Sequence, residues 1–486
     1  MDPNILVISD LHLGEDVKPH HVSYLRQVAQ LERQLEAFLA HHTRVRINGA
    51  PWRLIVNGDM VDFLGVLVLP DDSESSEHVS PEERRFGLGT GPRAARRKLL
   101  RVVDRHPGVF RELASFVGAG NELVIVLGNH DVEFHWEPVQ EAFRSRIAAF
   151  WAVESGTSEA DARALLDGRI GFHPWFYYQQ DLVYVEHGHQ YDEWCSFEHW
   201  LNPVAPKESD GILLNFAAAC IRFMSNMIPD TKPHSQDAWN GWEYLKWIWG
   251  LGWRGALRAA YYYAYCIWRL ADLSRSLRAV AGSVDRKTLH LGRLRELAAR
   301  YRLPEETLTQ INALQRAPAT LSLTKVLRTL FVDRLVLVLL VALVTGAAIF
   351  GLPSSEWKLA GAVAAMVLGV ATNELLARAR KLNTAEMLGG IPAAIRRHLS
   401  ARYIVFGHSH DPQAVELGGG AWYFNTGTWM PSEEQRGACT AFTHLLIAQG
   451  EDGPRAELRQ WRDGVSAVYD AGACGVAASP RLGDEK

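Results

Sequence analysis

Short apolar runs that end in polar clusters recur along the chain: NILVISDLHLG, RLIVNGDMVDF, ELVIVLGNHD, LVYVEHGHQYD, YIVFGHSHDP and AWYFNTGTW. Four or five β-prone residues running into turn formers predict a buried strand followed by a loop. Helical periodicities fill several of the gaps, over 22–41 and 93–105. Strands alternating with helices predict an α/β layered architecture, and in such sheets ligands collect at the carboxyl ends of the strands. The polar stretch 70–92, which contains GLGTGP, reads as a long surface loop.

Between His187 and His408 the strand rhythm gives way to helical patterning. Residues 239–270, WNGWEYLKWIWGLGWRGALRAAYYYAYCIWRL, hold six of the 16 tryptophans. Further on, 335–352 is 18 residues without a charge and 359–373 is 15, joined by PSSEWK. A hydrocarbon core of about 30 Å takes about 20 apolar residues to cross. The first run is at the lower edge of that length and the second below it. The pair is expected to form a hairpin that spans a bilayer, lies at its interface, or packs as a buried pair in a soluble lid. This divides the chain into 1–200 and 401–465, which share the strand pattern, a helical insert at 201–400, and a flexible tail at 466–486.

A chain of 486 residues, 48% hydrophobic and 22% charged, can bury a large core as one elaborated domain or two. Its five cysteines (Cys195, Cys220, Cys266, Cys439, Cys474) are odd in number and contain no C-x-x-C pair, which indicates neither a disulfide framework nor a zinc ribbon and suits a reducing compartment. The start, MDPNILVI, lacks the basic region of a secretory signal. The formal net charge of −4 conceals an asymmetry: residues 201–400 carry 25 Lys/Arg against 14 Asp/Glu, and the remainder 26 against 41. An acidic outer portion argues against nucleic-acid binding there. The basic, aromatic insert suits anionic lipid headgroups. Lys325, Arg328 and Arg334 precede the first run, Arg378, Arg380 and Lys381 follow the second, and the turn holds only Glu356 and Lys358. That distribution puts both ends of the hairpin at the cytoplasmic face of the cell membrane, with a wholly cytoplasmic protein as the alternative.

Five strand ends carry the chemistry: Asp10 and His12 in SDLH, Asp59 in NGDMVD, Asn129 and His130 in LGNHD, His187 in EHGH, and His408 and His410 in GHSH. Carboxylate and amide oxygens mixed with imidazoles suit Mn first, with Fe, Zn or Ni possible. Seven of these eight groups already exceed one ion's needs and fit two ions that share a carboxylate, the arrangement of two-metal hydrolases. A single histidine is more often a surface or core residue than a ligand; His20/His21 and His41/His42 follow no ligand spacing and are expected to be solvated. Asp62 and His189 are expected beside ligands rather than among them.

These five motifs, in this order, resemble the calcineurin-like metallophosphoesterase superfamily over 5–190 and 402–430. The resemblance implies a layered β-sandwich flanked by helices. It implies that Asp10, His12 and His410 hold one ion, that Asp59 bridges, and that Asn129, His187 and His408 complete the other. It further implies that His130 stands over the phosphoryl group with Asp131 orienting its imidazole, and that the attacking group is a hydroxide between the ions. A helical insert before GHSH is similar to bacterial enzymes that cleave UDP-2,3-diacylglucosamine, although those carry arginine where this chain has His130. The expected function is hydrolysis of a phosphoester or pyrophosphate bond in an amphiphilic, lipid-linked substrate at the membrane. The alternatives are a soluble phosphatase or phosphodiesterase with a lid, and a non-catalytic metal-binding scaffold.

Overall fold

Burial on both faces builds two sheets from the apolar runs. In the computed structural model, which describes residues 2–14, 22–68, 79–205, 211–228, 241–280, 284–378, 384–431, 440–450 and 453–471, the strands are β1 (Asn4–Ile8), β2 (Trp52–Asn57), β3 (Glu122–Val126), β4 (Ile170–His173), β5 (Phe176–Gln179), β6 (Val183–Glu186), β7 (Tyr403–Phe406), β8 (Gln413–Gly418), β9 (Ala421–Asn425), β10 (Thr443–Gly450), β11 (Gly453–Arg462) and β12 (Val465–Val468). One sheet runs β12-β11-β10-β1-β2-β3-β4 and the other β5-β6-β7-β9-β8. β1 to β4 are mutually parallel, as are β6, β7 and β9.

Because successive side chains of a strand point to opposite faces, each central strand is divided between two cores. Leu6, Ile8, Leu54, Val56, Leu123 and Ile125 face the helices, including Leu35, Phe38, Leu99 and Phe110. Ile5, Val7, Ile55, Val124 and Val126 instead meet Val183, Val185, Tyr403, Val405 and Phe424 across the two sheets. Burial on both faces is why these strands read as continuous apolar runs rather than alternating ones.

The insert leaves after β6 and returns at β7, and these two are neighbours, with Val183 opposite Tyr403 and Val185 opposite Val405. Part of it is built into the catalytic lobe. Leu294, Leu297, Leu308 and Ile311 join the main core. The Tyr301 hydroxyl lies 2.6 Å from His173 Nδ1 and donates to the Phe176 carbonyl at 2.8 Å. A second cluster joins Phe86 to Phe216, Phe223, Cys266, Leu270, Val326 and Leu330.

The helices Val332–Gly351 and Ser355–Arg378 contribute little to these cores. They pack on each other, with Val341 and the Ala348 methyl filling the space a side chain would need at Gly369 and Gly361. Their other faces are bare: Val338, Leu343, Leu359 and Leu368 are 63–69% exposed. Among the described residues, nothing covers these faces.

Three further expectations are corrected. Within 70–92, Ser80 caps a helix over Pro81–Phe86 through a reciprocal bond with Glu83, and Phe86 is buried; residues 69–78 lie outside the described residues. Residues 465–468 pair with β11 instead of starting a tail, with 472–486 outside the described residues. His42 is buried, not solvated: it bonds the Phe38 carbonyl through Nδ1 at 2.9 Å and packs on Phe38, Trp52 and Trp461. It lies one helical turn beyond Phe38, on the helix's inner face. His20 and His21 lie outside the described residues.

Burial pushes His42 down to about 4, and burial together with the neighbouring His42 pushes His444 down to about 3. Below the unfolded value near 6.5 the unfolded chain takes up protons that the folded chain refuses, so stability falls as pH drops from about 6.5 toward 4. Each such group contributes a slope of up to about 1.4 kcal/mol per pH unit. The melting temperature should fall across this window, and more shallowly in His42→Gln; an unchanged slope in that variant would show that His42 is not the titrating group.

Candidate metal centre

β1, β2, β3, β6 and β7 each deliver their motif at the carboxyl end, and the parallel registers bring these ends to one rim where the two sheets meet. The loops are tightly bent. Asp10, His12, Asp59, His408 and His410 all have left-handed backbones, with φ of 56°, 48°, 53°, 64° and 57°. Such a conformation costs a residue with a side chain roughly 1–2 kcal/mol. Cross-loop bonds hold it: Leu11 and His12 N–H donate to the Asp59 carbonyl at 3.0 and 2.9 Å, Asp10 N–H donates to the Gly58 carbonyl at 3.2 Å, and Thr428 Oγ1 donates to the Asp10 carbonyl at 3.0 Å. Close approach also explains the glycines. A Cβ on Gly58 would lie 2.3 Å from His187 Nδ1, and one on Gly128 2.2 Å from Asp59 Oδ1.

On one side of the rim, His410 Nε2 lies 3.1 Å from Asp10 Oδ1 and 3.3 Å from His12 Nε2. On the other, His187 Nε2 lies 3.3 Å from Asp59 Oδ2, while His187 Nδ1–H donates to the Asn57 carbonyl at 2.8 Å. Asp59 Oδ2 is also 4.0 Å from His12 Nε2, which places this carboxylate between the two groups. Among the described residues, Asn129 Oδ1 is buried without a hydrogen-bond partner. The His408 ring sits 5.3 Å from that of His187, with its Nε2 3.2 Å from Asp192 Oδ2. All seven sequence-predicted ligands thus lie on one rim, and their oxygen and imidazole donors fit a pair of divalent cations.

The electrostatics agree. Burial opposes ionisation of Asp10 and Asp59, but His410 and His187 beside Asp10, and His187, His130 and His12 around Asp59, hold both carboxyls below the ordinary value. Against the opposing effect of its own burial, His187 is pushed up to about 9 by Asp59 and Asp10. The rim thus favours ionised carboxylates and positive charge beside them.

The partner of His130 differs from expectation. Its Nδ1 donates to Asp62 Oδ1 at 2.8 Å, both groups being buried. Asp131 accepts instead from the backbone N–H groups of Gly128 and Met60, at 2.7 and 2.8 Å, tying the third loop to the second. A strong turn within GNHD points the adjacent carboxylate back at its own loop, whereas Asp62 reaches the ring across the rim. The orienting carboxylate is therefore Asp62, and Asp131 is a loop clamp. A sequence cue existed, since GDMVD puts a second acid three residues after Asp59. His189, packed 4.2 Å from the Trp200 ring, lies behind His187 and His408.

Two predictions separate these roles. Asp59→Asn should lose bound metal and activity together, as read by metal analysis; two tightly held ions in that variant would remove Asp59 from its place between the sites. Asp62→Asn should keep the melting temperature within a few degrees and slow turnover, approaching the about 10²–10⁴-fold loss of a missing acid–base group expected for His130→Ala. Asp131→Asn should chiefly lower the melting temperature, and the reverse pattern would restore the orienting role to Asp131.

Residues 3–216 match the family described as calcineurin-like phosphoesterase. No curated protein matches the chain. The matched segment supplies four of the five motifs, and the fold brings the fifth, His408 and His410, to the same rim from beyond the insert. With that family match over a rim of clustered carboxylates and imidazoles, residues 3–216 form a calcineurin-like phosphoesterase region and the chain is a metal-dependent phosphoester hydrolase.

Proposed function

We propose that this hydrolase acts on a phosphoester or pyrophosphate bond of an amphiphilic, lipid-linked substrate at the cytoplasmic face of a membrane. The observation that carries the reading is the bare hairpin. At 1.5 Å per residue the 20-residue helix Val332–Gly351 is about 30 Å long, the thickness of a hydrocarbon core. Phe350 is 89% exposed near the turn, and leucines and valines are exposed along the length of both helices. A contiguous exposed apolar surface of this kind marks an interaction site. Trp249 and Trp253, 89% and 70% exposed, lie at the junction of the aromatic helices. The Arg85 guanidinium sits over the rings of Tyr261, Tyr262 and Tyr265. Amphipathic aromatics with arginine suit the headgroup layer.

In this reading Asp10, His12 and His410 would hold one ion and Asn129, His187 and His408 the other, with Asp59 serving both and Mn²⁺ the first choice. Such ions, when bound, activate a water and neutralise the phosphoryl oxygens. The protein's own contribution is orientation and proton transfer. Asp62 accepts a hydrogen bond from His130 Nδ1–H, which orients the ring and favours its doubly protonated form, and the Nε2–H of that imidazolium can pass its proton to the departing oxygen. His410, 27% exposed, marks the open side from which a phosphate can approach.

Excising 331–376 and closing the gap with a short Gly/Ser linker tests the membrane reading, because no proposed ligand lies within it. The shortened protein should move from the detergent-requiring to the soluble fraction and keep its metal. Hydrolysis of a small water-soluble ester should change little, while hydrolysis of a lipid phosphoester in mixed micelles should fall steeply. Equal effects on both substrates, or wild-type protein recovered without detergent, would favour a soluble phosphatase.

A further inference from the structure

His408 differs from His187 in what holds its ring. The ring nitrogen of His187 turned away from the site is tied to a backbone carbonyl inside the sheet sandwich. The corresponding nitrogen of His408, Nε2, is tied instead to the carboxylate of Asp192, at 3.2 Å, with side-chain exposures of 8% and 3%. Asp192 belongs to none of the five motifs. Its other oxygen, Oδ1, accepts the Trp194 N–H at 2.9 Å. Its own carbonyl accepts from Cys195 and Ser196.

The segment that carries Asp192 is held by the insert. Arg316 N–H donates to the Gln190 carbonyl and Ala319 N–H to that of Glu193, at 2.9 and 2.7 Å. Ala217 N–H donates to the Trp194 carbonyl at 3.0 Å, and Asn215 Nδ2 to that of Cys195 at 2.7 Å. Lys325, on the helix that leads into the hairpin, pairs with the Glu193 carboxylate at 2.7 Å. The insert thus determines where the Asp192 carboxylate sits.

We propose that Asp192 is a positioning residue for His408: it holds the ring's proton on Nε2, keeps the Nδ1 lone pair available to a cation, and so sets the occupancy of the second ion. The inference rests on the two-ion reading above. Carboxylates behind metal-binding histidines act in this way, and their loss typically weakens metal affinity by about 10–100-fold. An asparagine at 192 is nearly isosteric and can keep the Trp194 bond through its oxygen. Its NH2 then faces Nε2 and demands that nitrogen's lone pair, which moves the ring proton to Nδ1 and blocks the ligating position. Asp192→Asn should therefore weaken binding at least as much as Asp192→Ala, an order that a purely structural role would not produce.

The experiment is a Mn²⁺ titration of the full-length, metal-depleted protein by calorimetry, with electron paramagnetic resonance of the loaded samples. Wild-type protein should bind two ions and show a spin-coupled spectrum. Asp192→Asn should retain one ion with wild-type affinity and bind the other about 10–100-fold more weakly. At one to two equivalents it should show the six-line spectrum of isolated Mn²⁺, while the metal-free melting temperature stays that of wild type. Unchanged affinity for both ions, or equal weakening of both, would overturn the role of Asp192. A wild-type protein that binds a single ion would remove the two-ion reading itself, and the positioning role with it.

Discussion

Two carboxylates, Asp10 and Asp59, are buried side by side at the meeting edge of two sheets, and the rest of the site is organised around that juxtaposition. Like charges in a poorly solvated place repel strongly. Imidazoles around both acids offset part of this, which is why His187 is held so far toward its protonated form. A proton on that ring and a cation beside it satisfy the same field, so the metal-free protein is poised to exchange one for the other. The left-handed loops are the backbone counterpart: five site residues adopt a conformation that is unfavourable singly and is sustained by the bonds between loops.

This concentration of strain and charge is tolerable because the scaffold beneath it is conventional. Central parallel strands with both faces buried supply cooperativity, and the ligand loops merely cap them. The insert does not disturb this arrangement, since it departs from and returns to neighbouring strands. It nevertheless reaches the chemistry, by gripping the segment from Gln190 to Cys195 next to His408. A region remote in sequence from every motif is in this way placed one residue contact from a proposed ligand.

The sequence carried the α/β class, the six apolar strands and the seven candidate ligands, because burial on two faces and left-handed polar turns leave local traces: apolar runs, then glycine beside Asp, Asn or His. What it hid was pairing across distance. β11 is long but chequered with charge, since it lies one strand from the edge of its sheet, and β10 ends in the exposed Gln449 and Gly450. β4 and β5 are only four residues each. Asp131 drew attention by adjacency to His130, while Asp62 made the contact through the fold. Asp192 offered no motif at all, only a position five residues beyond His187. The hairpin was legible as apolar; that its outer faces would be bare could be seen only once its neighbours were placed.

The adjacency of β6 and β7 also fixes an order of events during synthesis. Val183 and Tyr403 pair directly, yet 219 residues lie between them. At about 5–20 residues per second the ribosome takes roughly 10–40 s to make that stretch. Throughout that interval β1, β2, β3 and β6 can gather while the rim lacks His408 and His410, leaving an open cluster of acids. The long insert must therefore be disposed of, in water or in lipid, before the last strand can slot into place. Assembly of the catalytic edge is a late, ring-closing event whose timing is governed by a part of the chain that contributes no ligand.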